Sequence, residues 1–137
     1  MYKCKYFKIE ELVSRSIFEK YGDIAWQFFD PLALRTLDQI REQFGQLLVN
    51  NWHSGGTLQY RGYREKACTV GAVNSQHRHG RAFDCSSKMF SAEDMRAVIL
   101  THQHKFPLLA VIEMDVSWLH FDVRNINTDS GIVKIHP

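Results

Sequence analysis

The sequence has little of what would commit it to a specialised class. Its three cysteines, Cys4, Cys68 and Cys85, are odd in number and include no Cys-x-x-Cys pair. That argues against a disulfide framework and predicts reduced, partly buried thiols in a chain that folds in the cytoplasm. No apolar run approaches the roughly 20 residues that span a bilayer, so no membrane-embedded part is expected. The first residues, Met1 to Glu11, carry positive charge but no uninterrupted apolar core behind it, so a Sec signal peptide is not expected either. Charge of one sign is also scarce. Lys and Arg total 17 against 15 for Asp and Glu, with no basic block, which disfavours a dedicated nucleic-acid binder. The three prolines are scattered, and no repeat or low-complexity tract interrupts the text. What remains is 137 residues, 45% of them hydrophobic, enough for one core and read as a single domain over 1–137.

Apolar spacing predicts a first helix within Ile9 to Tyr21, from Ile9, Leu12, Val13 and Ile17. A second follows Asp30 as cap and Pro31 in the first turn, with Leu34, Leu37, Ile40 and Phe44 on one stripe and Gly45 at its end. Gln46 to Trp52 reads as a buried strand. From Ser54 to Gly80 turn residues dominate, and an irregular stretch this long in a small domain is more often functional than not. Arg81 to Cys85 reads as a short strand. Ser91-Ala-Glu-Asp94 opens a helix running to about His104, with Met95, Val98 and Ile99 on its buried face. Leu108 to Glu113 and Ser117 to Arg124 are strand-like. Alternation along the last places Leu119, Phe121 and Val123 on one face and Trp118, His120, Asp122 and Arg124 on the other.

A histidine, a carboxylate and a guanidinium in one row are an odd surface for a merely structural strand. A second set of candidate ligands lies at Asn74 to Asp84, where Gly80 supplies a turn between His77 and Asp84, and Ala82 leaves room beside the carboxylate. If the two strands are neighbours, His77, Asp84 and His120 converge. Two imidazoles and one carboxylate are the donor set of a catalytic zinc site, whose open position activates water for amide hydrolysis. The dispersed cysteines argue against a thiolate site.

Ser75-x-His77-x-x-Gly80-x-Ala82-x-Asp84, followed by Trp118-x-His120-x-Asp122, resembles the signature of the D-alanyl-D-alanine carboxypeptidase/VanX zinc-peptidase family. Its relatives include phage L-alanyl-D-glutamate endopeptidases, and hedgehog proteins share its fold. Tyr63-Arg64 resembles that family's upstream Tyr-Arg element, and the likeness spans roughly Leu47 to Asn125. The resemblance implies an α+β fold of the hedgehog/DD-peptidase kind, a small central mostly antiparallel sheet with flanking helices. It implies Zn2+ held by His77, Asp84 and His120, with Arg64 binding a carboxylate or carbonyl of the peptide. Ser75 would orient the ligand loop or the substrate, or simply bond its own turn.

Many members of that family carry an acid three positions before the last histidine, where this chain has Ser117. The general base therefore falls to Asp115 or Glu113, and Asp115 is preferred as the nearer to the loop tip. Asp122 is expected to bond an imidazole or Arg124. His79 reads as a surface turn residue, His102 and His104 as helix-end residues suited to the dipole, Trp52 as core and Trp118 as groove lining. Cys85 should point away from the metal. The expected function is hydrolysis of a peptide bond in bacterial peptidoglycan stem peptides, as a D,D-carboxypeptidase or an L,D- or D,D-endopeptidase. A phage product that reaches the wall after release fits the missing signal peptide. The alternative is a zinc-stabilised binding or virion module of the same fold without turnover, which Ser117 favours.

Overall fold

The computed structural model describes residues 1–137. The chain combines three α-helices with a four-stranded mixed sheet, an α+β arrangement. Helix α1 spans Arg15–Tyr21, α2 Pro31–Phe44 and α3 Ala92–Thr101. Strands β1 (Ala82–Cys85), β2 (Val111–Glu113), β3 (Leu119–Asp122) and β4 (Val133–Ile135) lie in the order β1-β3-β2-β4. β3 is antiparallel to both neighbours, and β4 runs parallel to β2. No helix is long and apolar enough to cross a membrane, and all three cysteines are free thiols.

Helix α2 forms as its sequence predicts. The Asp30 carboxylate accepts the Leu32 N–H at 2.9 Å, Pro31 opens the first turn, and Gly45 at φ 77° ends it. Ala33, Leu34, Leu37, Ile40 and Phe44 are buried along its inner stripe. Helix α3 starts at Ser91, whose hydroxyl accepts the Asp94 N–H at 3.1 Å. It stops at Thr101, short of His104, because His102 leaves helical geometry and a 3-10 turn follows.

Two further expectations need correction. The helix expected over Ile9–Tyr21 is broken into a 3-10 turn at Ile9–Glu11 and α1. The reason lies in the carbonyls a continuous helix would consume. Leu12 O accepts from Tyr63 N, and Val13 O accepts from the side chains of Asn50 and Trp52. Ser14 then caps α1 afresh through Ile17 N. The strand expected at Gln46–Trp52 is reduced to one bridge, Leu48 with Ser86. Leu47 and Val49 are buried as alternation requires, but Asn50 N turns to Glu11 O and Asn51 N to Leu58 O, so no ladder extends.

The core lies between the sheet and the helices. Phe83 of β1 stacks on Phe29 with centroids 5.4 Å apart and meets Phe121 of β3 at 5.8 Å. Leu119, Ile112 and Cys85 complete this buried layer. Odd positions of β3 therefore face the core, which leaves His120 and Asp122 to the opposite face.

Candidate metal centre

Two local devices bring the three expected ligands together. The first is strand register. β1 and β3 pair Asp84 directly with His120, so a carboxylate and an imidazole stand side by side on one face. The second is the turn that precedes β1. Ser75 caps a 3-10 turn over Gln76–His79, its Oγ accepting the His77 N–H at 3.4 Å. Gly80 ends it in the left-handed region at φ 64° and ψ 24°. A side chain there would be strained, and its Cβ would lie 2.0 Å from Phe28 O. Gly80 O in turn accepts the Asp30 N–H at 3.0 Å, which pins the ligand turn to the start of α2.

His77, Asp84 and His120 are all buried, and one potential ligand atom from each lies within 4.8 Å of the others. His77 Nε2 is 3.3 Å from Asp84 Oδ2, and His120 Nδ1 is 2.7 Å from Asp84 Oδ1. The partners on the far side of each ring assign the tautomers. Gly62 O lies 2.8 Å from His77 Nδ1 and can only accept, so that nitrogen carries hydrogen and Nε2 is the atom turned to the cluster. Asp122 Oδ2 lies 3.4 Å from His120 Nε2 and leaves Nδ1 facing Asp84. Asp122 is itself fully buried and is held by Arg124 through Nε at 2.8 Å and Nη2 at 2.5 Å. Such outer partners fix ring orientation in metal sites.

His120 Nδ1 and an Asp84 oxygen cannot face each other as two lone pairs; a proton or a metal cation must lie between them. The electrostatics agree. Burial disfavours the imidazolium of His120, yet its hydrogen bonds to Asp122 and Asp84 outweigh burial and raise its pKa to about 9. Burial likewise opposes the Asp84 carboxylate, but the hydrogen bonds of His120 and His77 hold its carboxyl far below the usual range. This buried group can hold a metal ion.

The cluster opens into a groove of about 490 Å³ whose lining includes Arg64, Glu113, Trp118 and Arg124. Arg64 donates to Asp84 Oδ2 at 3.3 Å and, through Nε, to Tyr60 O at 2.7 Å, so it sits beside the ligands as well as at the groove. Ser75 lines the groove too, and its hydroxyl bonds the backbone of its own turn at His77 N. The two candidate acids part company. Glu113 lines the groove with Oε1 3.8 Å from His120 Nε2. Asp115 does not line it. At φ 60° the chain swings out after β2, and the exposed Asp115 carboxylate pairs with His136 Nδ1 at 2.5 Å. Of the two expected acids, the structure brings Glu113 to the cluster and leaves the preferred Asp115 away from it.

His79 is exposed and stands outside the cluster, Cys85 is buried on the core side, and Trp118 lines the groove, as expected. Trp52 is half-buried and spends its N–H on Val13 O. Two contributors escaped sequence reasoning. Gly62 supplies the carbonyl behind His77 and comes so close to Leu12 that a Cβ would lie 1.9 Å from its oxygen. Arg96, buried on α3, donates to Val116 O and Trp118 O and so fixes the loop between β2 and β3. An arginine beside Met95 on an apolar helix face was the available signal.

No protein-family model, curated protein or solved structure matches this chain.

Proposed function

We propose that the chain is a zinc peptidase of the D-alanyl-D-alanine carboxypeptidase/VanX type, with the hedgehog/DD-peptidase fold, that hydrolyses a peptide bond in peptidoglycan stem peptides. The observation that carries this reading is the buried His77–Asp84–His120 cluster opening into a groove that also presents a carboxylate and a guanidinium. Two nitrogens and one oxygen suit zinc better than calcium or magnesium, which prefer all-oxygen sites. Zinc bound by these three would polarise a carbonyl and lower the pKa of water toward neutrality.

The chain's own residues account for the remaining chemistry. Glu113 is the acceptor of the proton released when water attacks, and afterwards its donor to the leaving amine. Its position beside His120 gives it reach to the groove side of the cluster. Arg64, anchored on Tyr60 O and Asp84, offers its remaining N–H groups to a substrate carbonyl or carboxylate. Trp118 gives the peptide an apolar surface beside them. Asp122 and Arg124 keep the His120 ring in register through the reaction.

A non-catalytic zinc module is the second reading, favoured by Ser117 at the position where an acid was expected. Glu113 weighs against it, because the carboxylate missing from 117 is supplied from the end of β2. The deciding experiment incubates zinc-loaded protein with soluble muropeptides and looks for new amino termini by mass spectrometry. Cleavage by the wild-type chain supports the peptidase. Stoichiometric zinc without cleavage supports the module. A chain that acquires no zinc on reconstitution overturns both.

A further inference from the structure

The segment that follows Arg64 is nearly all surface. Lys66, Ala67 and Thr69 through Asn74 are exposed, and no residue from 65 to 76 belongs to the hydrophobic core. Apolar burial therefore does not hold it in place. What holds it is one side chain from the ligand turn. The Arg78 guanidinium donates through Nη1 to Glu65 O and Lys66 O at 3.1 Å each, through Nη2 to Cys68 O at 2.6 Å, and through Nε to Ala72 O at 3.2 Å. Four of its five N–H groups thus point at backbone carbonyls of one segment. Glu65 adds a bond to Ser16 at the base of the segment, and beyond it only local turn bonds remain.

This segment is also part of the site. Val70, Gly71, Ala72 and Asn74 line the groove together with Arg64, Trp118 and Ile135. Gly71, at φ 80°, lies against Arg64 so closely that a Cβ would come 2.4 Å from Nη1. The Gly71 backbone therefore borders the Arg64 guanidinium, and Arg78 holds the chain on both sides of it through Cys68 O and Ala72 O.

We infer that Arg78 is a positioning residue for substrate: its guanidinium holds residues 65–72 as the wall of the groove beside Arg64, and so sets how tightly an extended peptide is bound. The inference rests on the groove being the peptide site, as proposed above. Lysine cannot substitute, because one ammonium cannot reach four carbonyls spread over eight residues in a planar fork.

The test compares zinc-loaded wild-type chain with Arg78→Ala and Arg78→Lys on soluble muropeptides, with zinc content, thermal stability and tryptic cutting at Lys66–Ala67 measured in parallel. In both variants KM rises by about tenfold or more while kcat stays within about twofold. Zinc is retained, and the Lys66–Ala67 bond is cut faster while global melting changes little. A KM within about twofold of wild type in both variants overturns the inference, as does loss of zinc together with kcat, which would make Arg78 a support of the ligand turn alone. If the wild-type chain cleaves nothing, the peptidase reading fails separately, and calorimetric binding of the same muropeptides decides. Weaker binding by the variants sustains the role of Arg78, and equal or absent binding ends it.

Discussion

At the scale of single residues, the site separates two carboxylates that the sequence placed only two positions apart. Glu113 closes β2 facing the groove, whereas Asp115 sits at positive φ and is spent on His136 in solvent. Glu113→Gln keeps size and removes basicity, so muropeptide turnover should fall by about 10²–10⁴-fold with zinc retained. Asp115→Asn should leave turnover within about twofold, because a pair this exposed contributes little. Equal effects of the two would contradict the assignment. The three candidate ligands were legible from their residue types together with the resemblance of their motifs to the zinc-peptidase signature, and the structure brings them together. The preference for Asp115 over Glu113 followed nearness to the loop tip in the sequence and missed the positive φ that turns Asp115 away after β2. His120 adds a pH signature. In the metal-free chain its pKa is raised from 6.5 to about 9, so its stabilising contribution is complete below pH 6.5 and is lost as pH rises through 9. A metal needs the same nitrogen without its proton, so metal affinity rises over that interval. Melting temperatures of metal-free and zinc-loaded protein from pH 6 to 9 should therefore diverge, the metal-free value falling from this group while the gap to the loaded form widens. A gap that narrows with pH would show that no proton is displaced from His120.

At the scale of elements, the site depends on a turn and a register rather than on any long helix. Alternation made the two faces of β3 legible, whereas its pairing with β1 was only a condition that the structure meets, and Phe83, Phe121 and Leu119 settle which face is buried. Less legible were features decided by partners distant in sequence. The break between the first 3-10 turn and α1 exists because Asn50, Trp52 and Tyr63 take the carbonyls of Val13 and Leu12. Strand β4 pairs parallel to β2 from a largely exposed segment with no clear periodicity, so nothing local announces it. Gly80 is where element and site meet. Gly80→Ala forces a Cβ toward Phe28 O and Phe29 Cα in a left-handed conformation, and the turn must shift to relieve it. The strain alone is of order 1–3 kcal/mol, so the denaturation midpoint should fall. Because His77 sits within that turn, zinc affinity should fall as well, as measured by competition with a chromogenic chelator. A variant that loses stability but binds zinc normally would mean that the turn relaxes without moving His77.

At the scale of the whole molecule, the metal would join parts of the chain that packing alone joins weakly on that side. His77 lies on the turn tied to α2 through Gly80 and Asp30, Asp84 on β1 and His120 on β3, while the segment before them is nearly all exposed and leaves the core to other elements. An ion that binds only the folded arrangement stabilises it by mass action, by about 4 kcal/mol at a free concentration a thousand times Kd. For a domain of this size that corresponds to a melting shift on the order of 10 °C. Chelation should therefore lower the melting temperature of zinc-loaded protein by about that amount, and added zinc should restore it. Asp84→Ala should lose this response altogether. It should also be less stable than the metal-free wild type, because His120, His77 and Arg64 all turn toward that carboxylate and would be left buried without it. A wild-type chain whose melting ignores both chelator and zinc would mean that the three side chains are held together by protons and hydrogen bonds alone. In that case the cluster would be a structural network rather than a metal site.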